Sequence, residues 1–147
     1  MPPARVPPLD KALCFNLYAA THAITRVYRP LLDELGLSYP QLLVLQSLWE
    51  RDGRSVRDIG ERLMLDSGTL SPVIKRLQAA GLVDKSRCSE DERQVSVTLT
   101  EKGRQLQPAA QAIGGVILDR TALDQAEIDA LVERLATLID RLQDDTA

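Results

Sequence analysis

This 147-residue chain predicts a mostly α, α+β fold: a helix-turn-helix, then a β-hairpin, framed by long N- and C-terminal helices. Three observations predict it. Apolar residues recur at spacings of three and four through residues 9–35 and again through 106–142, as in amphipathic helices. Between these stretches lie two short helical patterns separated by the cap-type residues Asp66 and Ser67. Two strand-like runs, 82–87 and 94–99, follow with a polar tip between them.

The elements follow in order. Residues 1–8, with four prolines, read as a flexible arm. Leu9, Leu13, Leu17, Ala20, Ile24, Val27, Leu31 and Leu35 then mark one long helix stopped at Gly36. Ser38-Tyr39-Pro40 opens a second helix, with proline in its first turn where its missing N–H is harmless, and this helix runs to Asp52-Gly53. Ser55, with Asp58 at capping-box spacing, starts a short helix that ends near Leu63-Met64. Asp66-Ser67 caps the next, whose buried stripe is Leu70, Val73, Ile74 and Leu77, with Gly81 just past its end. Pro72 removes a backbone hydrogen bond, so an irregularity is expected in the first two turns. The strands 82–87 and 94–99 enclose Cys88-Ser89-Glu90-Asp91-Glu92-Arg93. Thr100 with Glu101 starts one further helix, and Asp124 with Glu127 at capping-box spacing starts the last.

Composition sets limits. With 44% apolar and 27% charged residues the chain suits a soluble globular domain, and no run of about 18 apolar residues suggests a membrane span, so a cytoplasmic protein is expected. Two cysteines with 73 residues between them and the single histidine, His22, supply neither a metal site nor a disulfide framework; no metal and no cofactor are expected. His22 reads as a helix-surface residue. The net charge of −3 is unevenly spread. Residues 54–104 hold ten Lys/Arg against eight Asp/Glu, whereas 105–147 hold three against eight. The local basic excess covers the segment able to dock on phosphates. The terminal helices carry more apolar surface than a thin α-rich lobe can cover, which points to a second copy of the chain.

A helix-turn-helix with a β-wing places one helix in the major groove and a basic tip in the minor groove of double-stranded DNA. Ser67, Thr69 and Ser71 offer hydroxyls near the start of the reading helix, and Lys75 and Arg76 add charge. Asp91 and Arg93, two apart on an extended tip, point the same way, so the carboxylate can orient the guanidinium for a narrow groove.

At this point the sequence resembles a known family. Asp66-Ser67-Gly68-Thr69-Leu70-Ser71-Pro72, Lys75-Arg76-Leu77, Gly81-Leu82-Val83 and Asp91-Glu92-Arg93 resemble the winged helix-turn-helix of the MarR family of bacterial transcription regulators. Leu13-Cys14-Phe15-Asn16-Leu17-Tyr18-Ala19-Ala20, Tyr28-Arg29-Pro30-Leu31-Leu32 and Leu37-Ser38-Tyr39-Pro40-Gln41 are similar to the organic hydroperoxide resistance regulators within it. The likeness covers roughly residues 9–105. It implies residues 9–36 and 105–147 as a helical dimerisation region and 37–104 as the DNA-binding region of a homodimeric repressor. It further implies release of the operator when the Cys14 thiolate is oxidised by an organic hydroperoxide.

A thiolate reacts with peroxide in proportion to its ionised fraction and its access. Lys11 is the nearest cation in sequence, so hydroxyl donors are expected to contribute. Tyr18 lies one turn beyond Cys14, but Tyr28 is fourteen residues away, about 21 Å along one helix. If Tyr28 and Tyr39 hydrogen-bond the sulfur, as the resemblance implies, they come most simply from the other subunit. Two-cysteine members of the family keep a resolving thiol in the C-terminal helices, and residues 89–147 contain none. The one-cysteine route is therefore expected, in which a low-molecular-weight thiol captures sulfenic Cys14 while Cys88 is incidental. Competing readings are a repressor released by a small phenolic ligand, with Cys14 a bystander or a buried core residue, and a thiol peroxidase. The missing second redox thiol and the winged helix argue against an enzyme.

Overall fold

The structure, a computed structural model, describes residues 5–87 and 94–144. The expectations for the first half of the arm, for Cys88 and for the Asp91–Arg93 tip fall outside the described residues. The chain forms two compact units, Met1–Ile113 and Gly114–Ala147.

In the first unit a single 3₁₀ turn, Leu9–Lys11, precedes α1, Leu13–Asp33. The long helix expected from Leu9 is therefore interrupted: Ala12 is extended (ψ 123°). Alanine supplies no cap, and the Asn16 amide instead ties the turn together by donating to the Asp10 carbonyl (3.0 Å) and the Ala12 carbonyl (2.8 Å). Past Asp33, Gly36 takes a left-handed conformation (φ 68°) and Leu37 N–H reaches back to the Leu32 carbonyl (3.0 Å), closing the helix as a glycine C-cap does.

Helix α2, Tyr39–Glu50, starts from the expected cap, here a complete capping box: Ser38 Oγ accepts from Gln41 N–H and Gln41 Oε1 accepts from Ser38 N–H (2.8 Å). Its nearly continuous apolar run buries Leu42, Val44, Leu45 and Leu48 at the centre of the core. Around them close Leu32 of α1, Ile59 of α3 (Val56–Leu63), Leu70, Ile74 and Leu77 of α4 (Ser67–Ala79), and Val83 and Val97 of the sheet. Helix α4 runs unbroken through Pro72, against expectation. The missing N–H leaves only the Gly68 carbonyl, in the first turn, without its helical partner.

The hairpin is as expected, β2 (Val83–Arg87) against β3 (Val95–Leu99), antiparallel with Val83 opposite Leu99 and Arg87 opposite Val95. The sequence reading missed β1, Arg54–Ser55, which pairs with β3 (Arg54 opposite Val97) and gives the order β1-β3-β2.

The helix expected from Thr100 is two. Thr100 caps α5, Glu101–Gln105, by accepting from Gly103 N–H (3.1 Å), and α6, Gln107–Thr121, restarts after Leu106. Pro108 forces the restart because it cannot donate to the carbonyl of Arg104. In the second unit Asp124 and Glu127 exchange hydrogen bonds (2.8 and 2.9 Å) at the start of α7, Gln125–Asp144. No described helix is long and apolar enough to cross a membrane.

Candidate functional site

Two groups of residues stand out. The first is the outer side of α4. Leu70, Ile74 and Leu77 bury its inner side, so Ser67, Thr69, Ser71, Lys75 and Arg76 all face outward and exposed, as their spacing requires. The Asp66 carboxylate fixes the helix start by accepting from Thr69 N–H (2.7 Å), and that bond holds its pKa below the usual carboxylate range. The turn into α4 is equally specified. Met64 is left-handed (φ 58°), Leu65 N–H bonds the Gly60 carbonyl (2.9 Å), and a Cβ on Gly60 would lie only 3.0 Å from the Leu65 carbonyl oxygen.

An arginine braces this substructure from below. The largely buried Arg54 side chain donates to the Ser47 carbonyl (2.8 Å) and to Asp58 (2.9 Å), which also pairs with Arg51 (3.1 Å). The Arg54 hydrogen bond, with help from both positive charges, holds Asp58 below the ordinary carboxylate range. Ser55 does cap α3, but the Asp58 carboxylate serves Arg54 and Arg51 instead of completing a capping box.

Beside α4 the fold brings up cations that the sequence reading did not single out. A groove of about 520 Å³ is lined by Ser55, Arg57, Ser71, Ile74, Lys85 and Gln94 among others. Lys85 and Arg87, two apart on β2, are exposed. Their alternation was the available signal, but only the fold shows that Lys85 lines the same groove as Ser71 of α4. Asp91 and Arg93, expected at the wing tip, lie outside the described residues.

The second group lies on α1 and at the start of α2. Cys14 is the second residue of α1 and is exposed, which removes the buried-core reading. The Tyr18 ring packs edge-on against His22 (centroids 4.3 Å apart), and both are exposed. Tyr28 and Tyr39 pack on each other at 4.9 Å and 49°, half-buried. Burial pushes both phenol pKa values up, and Tyr39 pushes Tyr28 further, so both remain neutral O–H donors at physiological pH. Within one protomer, then, Tyr28 and Tyr39 come together, while Cys14 is fourteen residues and about 21 Å up the helix from Tyr28. Next to the tyrosine pair lies a groove of about 620 Å³, with His22, Arg26, Arg29, Leu32, Asp33 and Tyr39 in its walls.

Comparison with known proteins places this geometry. Residues 26–109 match the family described as Transcriptional regulator SarA/Rot. The chain is 49% identical over 134 residues to the HTH-type transcriptional regulator TtmR of Methylorubrum extorquens, covering 91% of this chain and 69% of that protein. It is 43% identical over 134 residues to the organic hydroperoxide resistance transcriptional regulator of Bacillus subtilis, covering 91% of each. The solved structure of reduced AbfR bound to DNA, a Staphylococcus epidermidis protein, superimposes with a TM-score of 0.73 at 35% identity, over 88% of this chain and 90% of that one.

Proposed function

The chain belongs to the MarR/SarA-type family of winged-helix transcriptional regulators, and from that premise we propose that it is a homodimeric repressor that releases double-stranded operator DNA when Cys14 is oxidised by an organic hydroperoxide. In this reading α4 enters the major groove. Ser67, Thr69 and Ser71, with the N–H groups at the helix start, take phosphates, and Lys75 and Arg76 add charge contacts. Lys85 and Arg57 extend the phosphate track, and Arg93, its guanidinium oriented by Asp91, enters the minor groove. Two copies place two reading helices on successive major-groove turns, about 34 Å apart. Exposed apolar side chains on α1 (Leu13, Phe15, Ile24) and on α7 (Leu131, Val132, Leu142) supply surface for the pairing. The DNA-bound solved relative supports the first part of this reading.

The observation that carries the sensor is the separation of an exposed Cys14 from a phenol pair that remains protonated. Each protomer holds a nucleophile at one end of α1 and donors at the other, so two copies can complete two equivalent sites across an isologous interface. The chemistry balances. The Cys14 thiolate attacks the O–O bond of ROOH, forming an S–O bond and expelling alkoxide, which takes a proton to leave as ROH; the sulfur is now sulfenic acid. A low-molecular-weight thiol R′SH then displaces water from it, leaving a mixed disulfide. Either product crowds the tyrosine contacts and shifts the protomers, which changes the spacing of the reading helices.

A gel shift on a palindromic promoter fragment tests the reading. Wild type should bind when reduced and release on cumene hydroperoxide, while Cys14→Ser should bind and stay bound. Release of the serine variant by peroxide sinks the sensor assignment, and no binding by either protein sinks the repressor.

A further inference from the structure

We propose that Arg26 and Arg29 form a cationic cradle, in the groove beside Tyr39, that holds the sulfur of Cys14 of the partner subunit as an anion. The inference rests on the sensor reading above and names charged groups which that reading lacks, since Lys11 is the nearest cation to Cys14 in sequence.

The groove's polar lining is mostly committed. Thr25 Oγ1 donates to the Thr21 carbonyl (2.8 Å) and the His22 carbonyl (3.2 Å), and Ser38 Oγ caps α2. The His22 ring is packed on Tyr18. What remains are the guanidinium groups of Arg26 and Arg29, one turn apart on the same side of α1 and both exposed. Among the described residues neither has an ion-pair partner; Asp33, in the same groove, comes within 4.0 Å of neither. Counting every charged group in the walls, two guanidiniums face one carboxylate, so the groove is net positive. A guanidinium is weakly hydrated and presents several fixed donors, which suits a soft anion at an interface better than an ammonium does.

The occupant is argued from complementarity. Leu32, Leu37 and Pro40 give the groove an apolar wall, and the segment flanking the sulfur, Leu13 and Phe15, is apolar and exposed (61% and 36%) in the protomer. A second copy therefore offers in one segment what the groove calls for: apolar flanks and a single ionisable sulfur between them. In this cradle the neutral phenols of Tyr39, in the groove wall, and of Tyr28, packed on it, donate hydrogen bonds, and the arginines supply the charge that hydroxyls cannot.

The test uses the full-length reduced protein. Arg26→Gln/Arg29→Gln should lower the rate of Cys14 alkylation by iodoacetamide at pH 6, read by mass spectrometry, by about tenfold or more, and slow oxidation by cumene hydroperoxide in parallel. The Arg26→Lys/Arg29→Lys protein should retain most of both rates, and operator affinity before oxidation should be unchanged. Wild-type alkylation and oxidation rates in the glutamine pair overturn the cradle, as does a glutamine pair that elutes as a monomer, because the arginines would then serve assembly and not the sulfur. The parent reading fails separately. If Cys14→Ser still releases DNA on peroxide, the sensor falls, while alkylation of Cys14 in the arginine variants still decides on the cradle.

Discussion

Gly103 offers the sharpest prediction the packing allows. A Cβ at this position would lie 2.2 Å from the Leu82 carbonyl oxygen and 3.2 Å from its carbon, backbone atoms that cannot rotate away. To reach ordinary contact at 3.4 Å, α5 and the start of β2 must separate by roughly 1 Å. Two hydrogen bonds cross that gap, Thr100 N–H to the same Leu82 carbonyl (3.0 Å) and Thr100 Oγ1 to the Gly81 carbonyl (2.7 Å), and on the other side of α5 Trp49 Nε1–H donates to the Gly103 carbonyl (3.0 Å). Overpacking costs about 1–3 kcal/mol. Loss of one or two of the bonds adds about 1 kcal/mol each. Alanine's better helix propensity returns about 1 kcal/mol. Gly103→Ala should therefore destabilise by about 1–4 kcal/mol, a fall in Tm of roughly 3–15 °C for a chain of this size. Thermal unfolding at matched protein concentration reads the loss, and the emission of Trp49, the only tryptophan, reads the broken indole bond. Gly115→Ala is the comparison, because a Cβ there meets nothing within 4 Å and the substitution should raise Tm slightly. A Gly103→Ala protein within 2 °C of wild type with unshifted emission would refute the close approach.

Three further outcomes are expected. Tyr28→Phe should leave operator affinity intact yet slow oxidation of Cys14 by hydroperoxide; unaltered kinetics would remove Tyr28 from the sensor. Lys85→Gln should weaken operator binding and reduce the magnitude of the salt slope by about 0.9, the value for one phosphate contact, and a wild-type slope would take Lys85 off the DNA. The Asp66 cap has a sign fixed by its pKa: depressed in the folded protein, it contributes stability fully above the ordinary aspartate value and loses it as pH falls through the lowered folded value. Asp66→Ala should accordingly lower Tm at pH 7 and reduce the additional loss on acidification, and an unchanged Tm at pH 7 would contradict the cap.

How much of this was legible in the sequence depended on range. Asp124 with Glu127 was readable because a cap is settled within four residues, whereas at Ser38 the helix start was read from Pro40 and the box with Gln41 was missed. The buried stripe of α4 and the strand pair were readable from period alone. Asp58 shows the limit of the same logic: its spacing from Ser55 signalled a capping box, yet Arg54 and Arg51 outcompete the backbone for its carboxylate. Strand β1 was invisible because two residues carry no periodicity, and their pairing partners lie more than forty residues away. The break at Leu106 was signalled by Pro108 but outweighed by the apolar repeat running through it. Of the site, the outward residues of α4 followed from helix geometry, whereas Arg57, Lys85 and the cradle arginines were four among eighteen basic residues until the fold gave them neighbours.

Helix α2 gives the proposed sensor a direct mechanical route to the wing, and that route can be measured. Tyr39 is its first residue and sits against Tyr28; Trp49, near its other end about 15 Å away, is bonded to Gly103 of α5. Between them Leu42, Val44, Leu45 and Leu48 are packed without slack, and a close-packed rod transmits a displacement instead of absorbing it. Just past Trp49, Asp52 accepts from Leu99 N–H of β3 (2.9 Å), so the base of the wing is tied to the same end. A product on sulfur that pushes Tyr39 should therefore disturb the indole hydrogen bond. Trp49 emission should shift on cumene hydroperoxide treatment of wild type and stay fixed in Cys14→Ser. Identical emission before and after an oxidation that releases the operator would show that the signal leaves the sensor by another path.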